Sequence, residues 1–68
     1  MKIVIIFKNG KSKIYNKGQW DEQGFVGDFY CIKKDGVFIG YYSNSEIFSV
    51  ELLEDTFPIE LIIDKNPQ

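Results

Sequence analysis

Two adjacent acid pairs, Asp21-Glu22 and Glu54-Asp55, a single thiol, Cys31, and no histidine are what this chain offers to catalysis. Paired carboxylates can divide acid and base work only if both reach one substrate atom. Neighbours in extended chain point to opposite sides, so neither pair is built for it. Without histidine there is no side chain that titrates near neutrality unaided. No serine or cysteine stands in a nucleophile elbow, and no glycine-rich phosphate loop opens a helix. Cys31, flanked by Tyr30 and Ile32 in a strand pattern, reads as a buried, inert thiol. Glu51 and Glu54 could offer oxygens to a cation but read as solvated charge, and a zinc site would have to be made of carboxylates. The expectation is a non-enzymatic protein with no cofactor, no metal and no evident small-molecule substrate.

Recognition is left to aromatic residues and lysines. Side chains alternate between faces along a strand, and a half-buried strand should alternate apolar and polar. Here Ile3, Ile5 and Phe7 oppose Val4 and Ile6; Phe25, Phe29 and Cys31 oppose Val26, Tyr30 and Ile32; and Val37, Ile39 and Tyr41 oppose Phe38, Gly40 and Tyr42. One small core cannot take both sides. Either bulges at Gly27 and Gly40 switch faces and the C-terminal segment covers the rest, or an aromatic patch is left for a protein partner or for self-association. The candidate partner-binding residues are Trp20, Phe29, Tyr30, Tyr41 and Tyr42.

The basic residues are all lysine, and positions 2, 8, 11, 13 and 17 precede the first acid, Asp21. Lysines on an edge hairpin keep it soluble and unpaired. The competing reading gives Lys8, Lys11, Lys13 and Lys17 to nucleic-acid phosphates, with Tyr30, Tyr41 and Tyr42 as stacking platforms. The lack of arginine, the residue of bidentate phosphate and base recognition, counts against it, although an AT-rich codon supply gives the same bias.

The elements that must position these residues are strands. Isoleucine, phenylalanine and tyrosine are abundant and alanine is absent, which favours strands over long helices. The pattern predicts strands at 2–7, 12–16, 25–32, 37–42 and 47–53, with a loop over 17–24. Asn9-Gly10 predicts a type I′ hairpin turn and Asp35-Gly36 a second tight turn, while Ser43 or Asn44 is placed to cap a single helical turn through Glu46. Residues 1–56 then make one all-β domain, a five- to six-stranded antiparallel barrel or strongly bent sheet of SH3-like or Sm-like order, with an OB-like barrel as the alternative. Residues 57–68 supply an apolar edge strand or tail, paired within the chain or between subunits, and a flexible terminus.

Sixty-eight residues suffice for one domain and one small core. The apolar run at the start stops at Phe7, too short for a secretory signal, and no stretch nears the ~20 residues of a membrane span. With a lone thiol, these features point to a cytoplasmic protein. The segments Gly24-Phe25 to Phe29 and "VFIGYYS" resemble the aromatic strands "KGFGFI" and "VFVHFS" of the cold-shock family, which implies an OB-fold that stacks single-stranded nucleic acid. The likeness covers less than half the chain. Val26-Gly27-Asp28 intrudes between the aromatics, Gly40 replaces the histidine, and the upstream "KWFN" is missing. In style, a short, lysine-rich, arginine-free β domain is similar to accessory proteins of bacteriophages and mobile elements, which implies docking on and modulation of a host protein.

Overall fold

A computed structural model describes residues 1–54, so the expectations for residues 57–68 lie outside the described residues. Six strands follow in order: β1 (Lys2–Phe7), β2 (Ser12–Tyr15), β3 (Glu22–Val26), β4 (Phe29–Lys34), β5 (Val37–Ser43) and, after a 3₁₀ turn (Asn44–Glu46), β6 (Ile47–Leu53). They form two antiparallel three-stranded sheets, ordered β2-β1-β6 and β3-β4-β5. The barrel expectation is corrected: among the described residues no strand of one sheet pairs with a strand of the other. No helix there is long and apolar enough to cross a membrane.

Turn chemistry explains where the strands fall. Gly27, expected as a bulge inside one strand over 25–32, instead takes φ +60 and turns the chain between Val26 and Phe29, which are cross-strand partners. A glycine with positive φ at the first central position is the type II′ pattern. The loop expected over 17–24 is accordingly shorter, because β3 begins at Glu22. Asn9-Gly10 also departs from expectation. Only Gly10 has positive φ, at 90°, and the Gly10 N–H donates to the Phe7 carbonyl at 2.9 Å. Lys8, Asn9 and Gly10 thus make a three-residue loop, a turn followed by a glycine bulge. Asp35 and Gly36, with φ of 53° and 80°, do form the expected two-residue turn. Ser43 caps the 3₁₀ turn by accepting from the Ser45 N–H.

Two bulges decide which side chains face inward. Ile32 pairs with Gly40 but Lys33 pairs with Phe38, so Ile39 is the extra residue of β5. Ile6 pairs with Ser49 but Phe7 pairs with Ile47, so Phe48 is the extra residue of β6 and stands 73% exposed. A bulge near Gly40 was expected; the one at Phe48 was not.

The core lies between the sheets, where Ile3, Ile5 and Tyr15 meet Tyr30 and Ile32. Burial of each large side chain contributes roughly 1.5–3 kcal/mol. Across the gap the Tyr15 and Tyr42 hydroxyls share a 2.5 Å hydrogen bond. It is possible because Gly40 has no side chain: a Cβ there would lie 2.7 Å from the Tyr15 hydroxyl and 3.1 Å from the Tyr42 ring. The 3₁₀ turn adds two stitches, with the Asn44 N–H donating to the Asp28 carbonyl in the β3–β4 turn and the Lys8 N–H, in the β1–β2 loop, donating to the Glu46 carbonyl. Asp21 clips the β4–β5 turn, accepting from the Asp35 N–H at 2.6 Å with Lys34 at 3.5 Å. That N–H holds the Asp21 carboxyl below its usual range against an opposing desolvation, with Lys34 adding a lesser pull.

Gly40→Ala is expected to lower stability in urea unfolding by about 1–3 kcal/mol, the range for overpacking. Gly24→Ala, whose Cβ meets nothing within 4 Å, should leave stability equal or slightly raised, since glycine weakens a strand interior.

Candidate functional site

Alternation along β4 sends Tyr30 and Ile32 into the core and Phe29, Cys31 and Lys33 to the outer face of the second sheet. Register then builds that face as three rows across β3, β4 and β5: Val26, Phe29 and Ser43; Gly24, Cys31 and Tyr41; Glu22, Lys33 and Phe38. Plain alternation puts Phe38 on the side of Gly40 and Tyr42. The extra residue Ile39 reverses this and delivers the Phe38 ring outward.

The rings on this face make one continuous group. Tyr41 stacks on Phe29 with centroids 4.4 Å apart and planes 12° apart, and Phe38 meets Tyr41 edge-on at 6.2 Å. The Lys33 ammonium lies 5.0 Å from the Phe38 centroid, a cation–π distance. Tyr41 is 60% and Phe38 54% exposed. Beside them, where Gly24 has no side chain, a hollow of about 170 Å³ opens, lined by Glu22, Gly24, Val26, Cys31, Lys33 and Phe38 among others. Cys31 forms part of its floor, a free and buried thiol. The face therefore combines projecting rings on β5, a depression on β3, and one charge of each sign in its third row.

The residues singled out for partner binding divide between surfaces. Phe29 and Tyr41 come together on the outer face. Tyr30 is wholly buried, and its hydroxyl donates to Gln23 Oε1 at 2.8 Å. Tyr42 faces inward, bonded to Tyr15 and tilted against Phe7 at 5.4 Å. Trp20 packs against the core edge and its indole N–H donates to the Met1 carbonyl at 3.1 Å. Sequence reasoning missed Phe38 because the bulge that turns it leaves no mark in the alternation. Phe25, the first residue of the strand expected over 25–32, instead lies inside β3 opposite Tyr30 and is 62% exposed.

Lys8, Lys11, Lys13 and Lys17 are exposed on the β1–β2 hairpin and the loop after it, on the other sheet from Tyr41. Lys13 lies over the Tyr15 ring at 5.3 Å. Of the acids, Asp21 is engaged with the Asp35 turn while Glu22 belongs to the outer face. Glu51 pairs with Val4 across β1 and is exposed, as is Glu54. Among the described residues no three acidic, histidine or cysteine side chains gather where a metal ion could sit.

Burial pushes the Tyr30 hydroxyl up to about 12, and burial with the Tyr42 hydroxyl raises Tyr15 further. Both are raised above their unfolded values near 10, so the stability they carry is complete below pH 10 and is lost as pH rises from there through the folded values. Ultraviolet titration should show these two tyrosines ionising only above pH 11, together with loss of fold, and Tyr30→Phe should flatten the alkaline decline in stability. Ionisation of every tyrosine near pH 10 with the fold intact would place Tyr30 outside the core. The chain matches no protein-family model, no curated protein and no solved structure.

Proposed function

We propose that this chain is a non-enzymatic protein-docking module that works through the outer face of β3-β4-β5. The observation that carries this reading is the group of Phe29, Phe38 and Tyr41, two of whose rings are more than half exposed beside an apolar-floored hollow on a sheet face. Leaving large apolar side chains in water forgoes about 1.5–3 kcal/mol each, and docking recovers it. Contiguous exposed apolar patches mark interaction sites more often than single exposed residues do.

The element order supports an open relative of the SH3-like and Sm-like plan over an OB-like one: a three-stranded meander, a 3₁₀ turn, and a last strand that returns to β1. The partner class is protein. Two of the three tyrosines needed as stacking platforms, Tyr30 and Tyr42, face inward, and the hairpin lysines sit on the other sheet from Tyr41. Modulation of a host protein by a cytoplasmic phage or mobile-element accessory protein is the mode of action that the composition suggests.

The test pairs two measurements. Anisotropy of labelled mixed-sequence single-stranded DNA and RNA, at about 50 and 200 mM salt where counterion release separates phosphate binders, should show no salt-sensitive association. Chemical cross-linking in cell extract should give a protein adduct that Phe38→Ala/Tyr41→Ala abolishes and Lys11→Glu/Lys13→Glu leaves unchanged. Salt-sensitive oligonucleotide binding that is lost with the lysine variant overturns the proposal.

A further inference from the structure

We propose that Asn9 is a self-modification site: its side-chain amide is lost to attack by the Gly10 backbone nitrogen, and the fold sets the rate because the loop must open before the two groups can meet. The site lies on the sheet opposite the docking face and does not depend on the docking reading.

In an Asn-Gly step the glycine nitrogen, once hydroxide has taken its proton, attacks the asparagine Cγ. The side-chain nitrogen leaves as ammonia and a five-membered succinimide forms. Water then opens the ring at either carbonyl, giving aspartate or, with the main chain rerouted through Cγ, isoaspartate. The sum is amide plus water to acid plus ammonia, with no oxidant or cofactor. Glycine favours the attack because no Cβ screens its nitrogen, and nothing lies within 4 Å of where a Gly10 Cβ would stand. Asn9 is exposed, as are Lys8 and Lys11 on either side, whose positive charges stabilise the anionic nitrogen. The other asparagines lack this set. Asn16 and Asn44 precede Lys17 and Ser45, which carry a Cβ, the Asn44 Oδ1 is buried, and Asn66 precedes Pro67, whose nitrogen has no proton to lose.

The loop holds both reacting groups in other bonds. The Gly10 N–H donates to the Phe7 carbonyl at 2.9 Å, so the nucleophile keeps its proton. The Asn9 Oδ1 accepts from the Lys11 N–H at 2.9 Å, which holds the side chain toward residue 11. The Phe7 N–H closes the same loop on the Lys11 carbonyl at 2.8 Å, and the Lys8 N–H ties it to the Glu46 carbonyl at 2.9 Å. All of these bonds sit at an exposed hairpin tip, where local opening costs least. Reaction therefore runs through a minor open state. Isoaspartate then adds a methylene to the main chain. A three-residue loop with a glycine bulge has a fixed length, so the lengthened loop cannot restore the Phe7, Lys8 and Lys11 bonds together. The new carboxylate also shares with Glu46 the lining of a hollow of about 350 Å³. Extra length and like charge release the hairpin from the 3₁₀ turn, and one of the two stitches is lost.

The experiment is incubation of the full chain at neutral and mildly alkaline pH, folded and in guanidinium chloride, with peptide mapping by mass spectrometry to read the mass gained on amide loss. The isoaspartyl fraction, separated by ion exchange for its added charge, is then followed by amide hydrogen exchange. Asn9 should convert first in both states, faster at the higher pH. Conversion in the folded protein should be roughly 10 to 1,000 times slower than in the unfolded chain, the span of a local opening at a loop tip. The Lys8 amide should lose its protection in the isoaspartyl fraction. Equal rates in the two states overturn the proposal, as does a folded protein that stays unconverted beyond that span. Earlier conversion at Asn16 or Asn44 overturns it too, and so does an isoaspartyl fraction whose Lys8 amide stays protected.

Discussion

The hydroxyl pair of Tyr15 and Tyr42 over Gly40 is the constraint on which this fold turns. The sheets share no strand pair among the described residues, so nothing in the backbone ladders fixes their distance. A hydrogen bond between two part-buried hydroxyls does, because neither can move away without leaving a polar group unsatisfied, at a cost of about 1–3 kcal/mol. Gly40 is the complement of this pair. It is buried, it stands opposite Ile32, and its missing side chain is the space into which the Tyr15 hydroxyl reaches. The isoleucine core then packs around a separation already set, and the stitches through the 3₁₀ turn prevent the sheets from sliding.

Bulges distribute the excess of apolar side chains. With strict alternation, Phe38 and Gly40 would share a face, and Phe38 would stand near the space that Tyr15 and Tyr42 occupy. The extra residue at Ile39 moves that ring outward, to the side of Tyr41 and Lys33. At the other sheet the extra residue Phe48 lets both Val50 and Ile47 pack against the core, beside Ile5 and Phe7. At β6 one apolar side chain, Phe48, is released so that Ile47 and Val50 can pack; at β5 Val37, Phe38 and Ile39 all stay exposed, and the bulge there re-aims the Phe38 ring.

Much of this was legible in the sequence and some was not. The strands expected at 2–7, 12–16, 37–42 and 47–53 match the observed ones to within a residue, and these, the Asp35-Gly36 turn and a cap at Ser43 or Asn44 follow from local chemistry, where each residue type has one dominant use. Gly27 has two. In "FVGDFY" a glycine inside an aromatic run serves equally as a bulge or as the first residue of a two-residue turn, and only the pairing of Val26 with Phe29 separates them. Choosing the bulge fused β3 with β4 and hid the three-stranded meander. The candidate face was half legible for the same reason. Phe29 and Tyr41 follow from parity once the strands are placed. Phe38 depends on a register shift set by tertiary packing, and Tyr30 and Tyr42 on which side of the sheet the core adopts.

The division of aromatics is the opposite of what polarity alone would give. Tyrosine, with its hydroxyl, suits a surface, and phenylalanine suits a core. Here Tyr15 and Tyr30 are buried and Tyr42 half-buried, each hydroxyl bonded to another side chain, while Phe25, Phe38 and Phe48 stand exposed. Buried hydroxyls are acceptable because they are paired, and pairing fixes orientation where isoleucine packing alone would tolerate sliding. Exposed phenylalanine has no hydroxyl to pair; among the described residues Phe25 tilts against Tyr30 and Phe38 meets Tyr41 edge-on with the Lys33 ammonium over its ring. Phe25 is paired with Tyr30 in β3, and Phe48 is the extra residue of a bulge. Phe38, beside the bulge at Ile39, stands among other rings and lines the hollow. Under the docking proposal it is the ring whose exposure a partner would relieve.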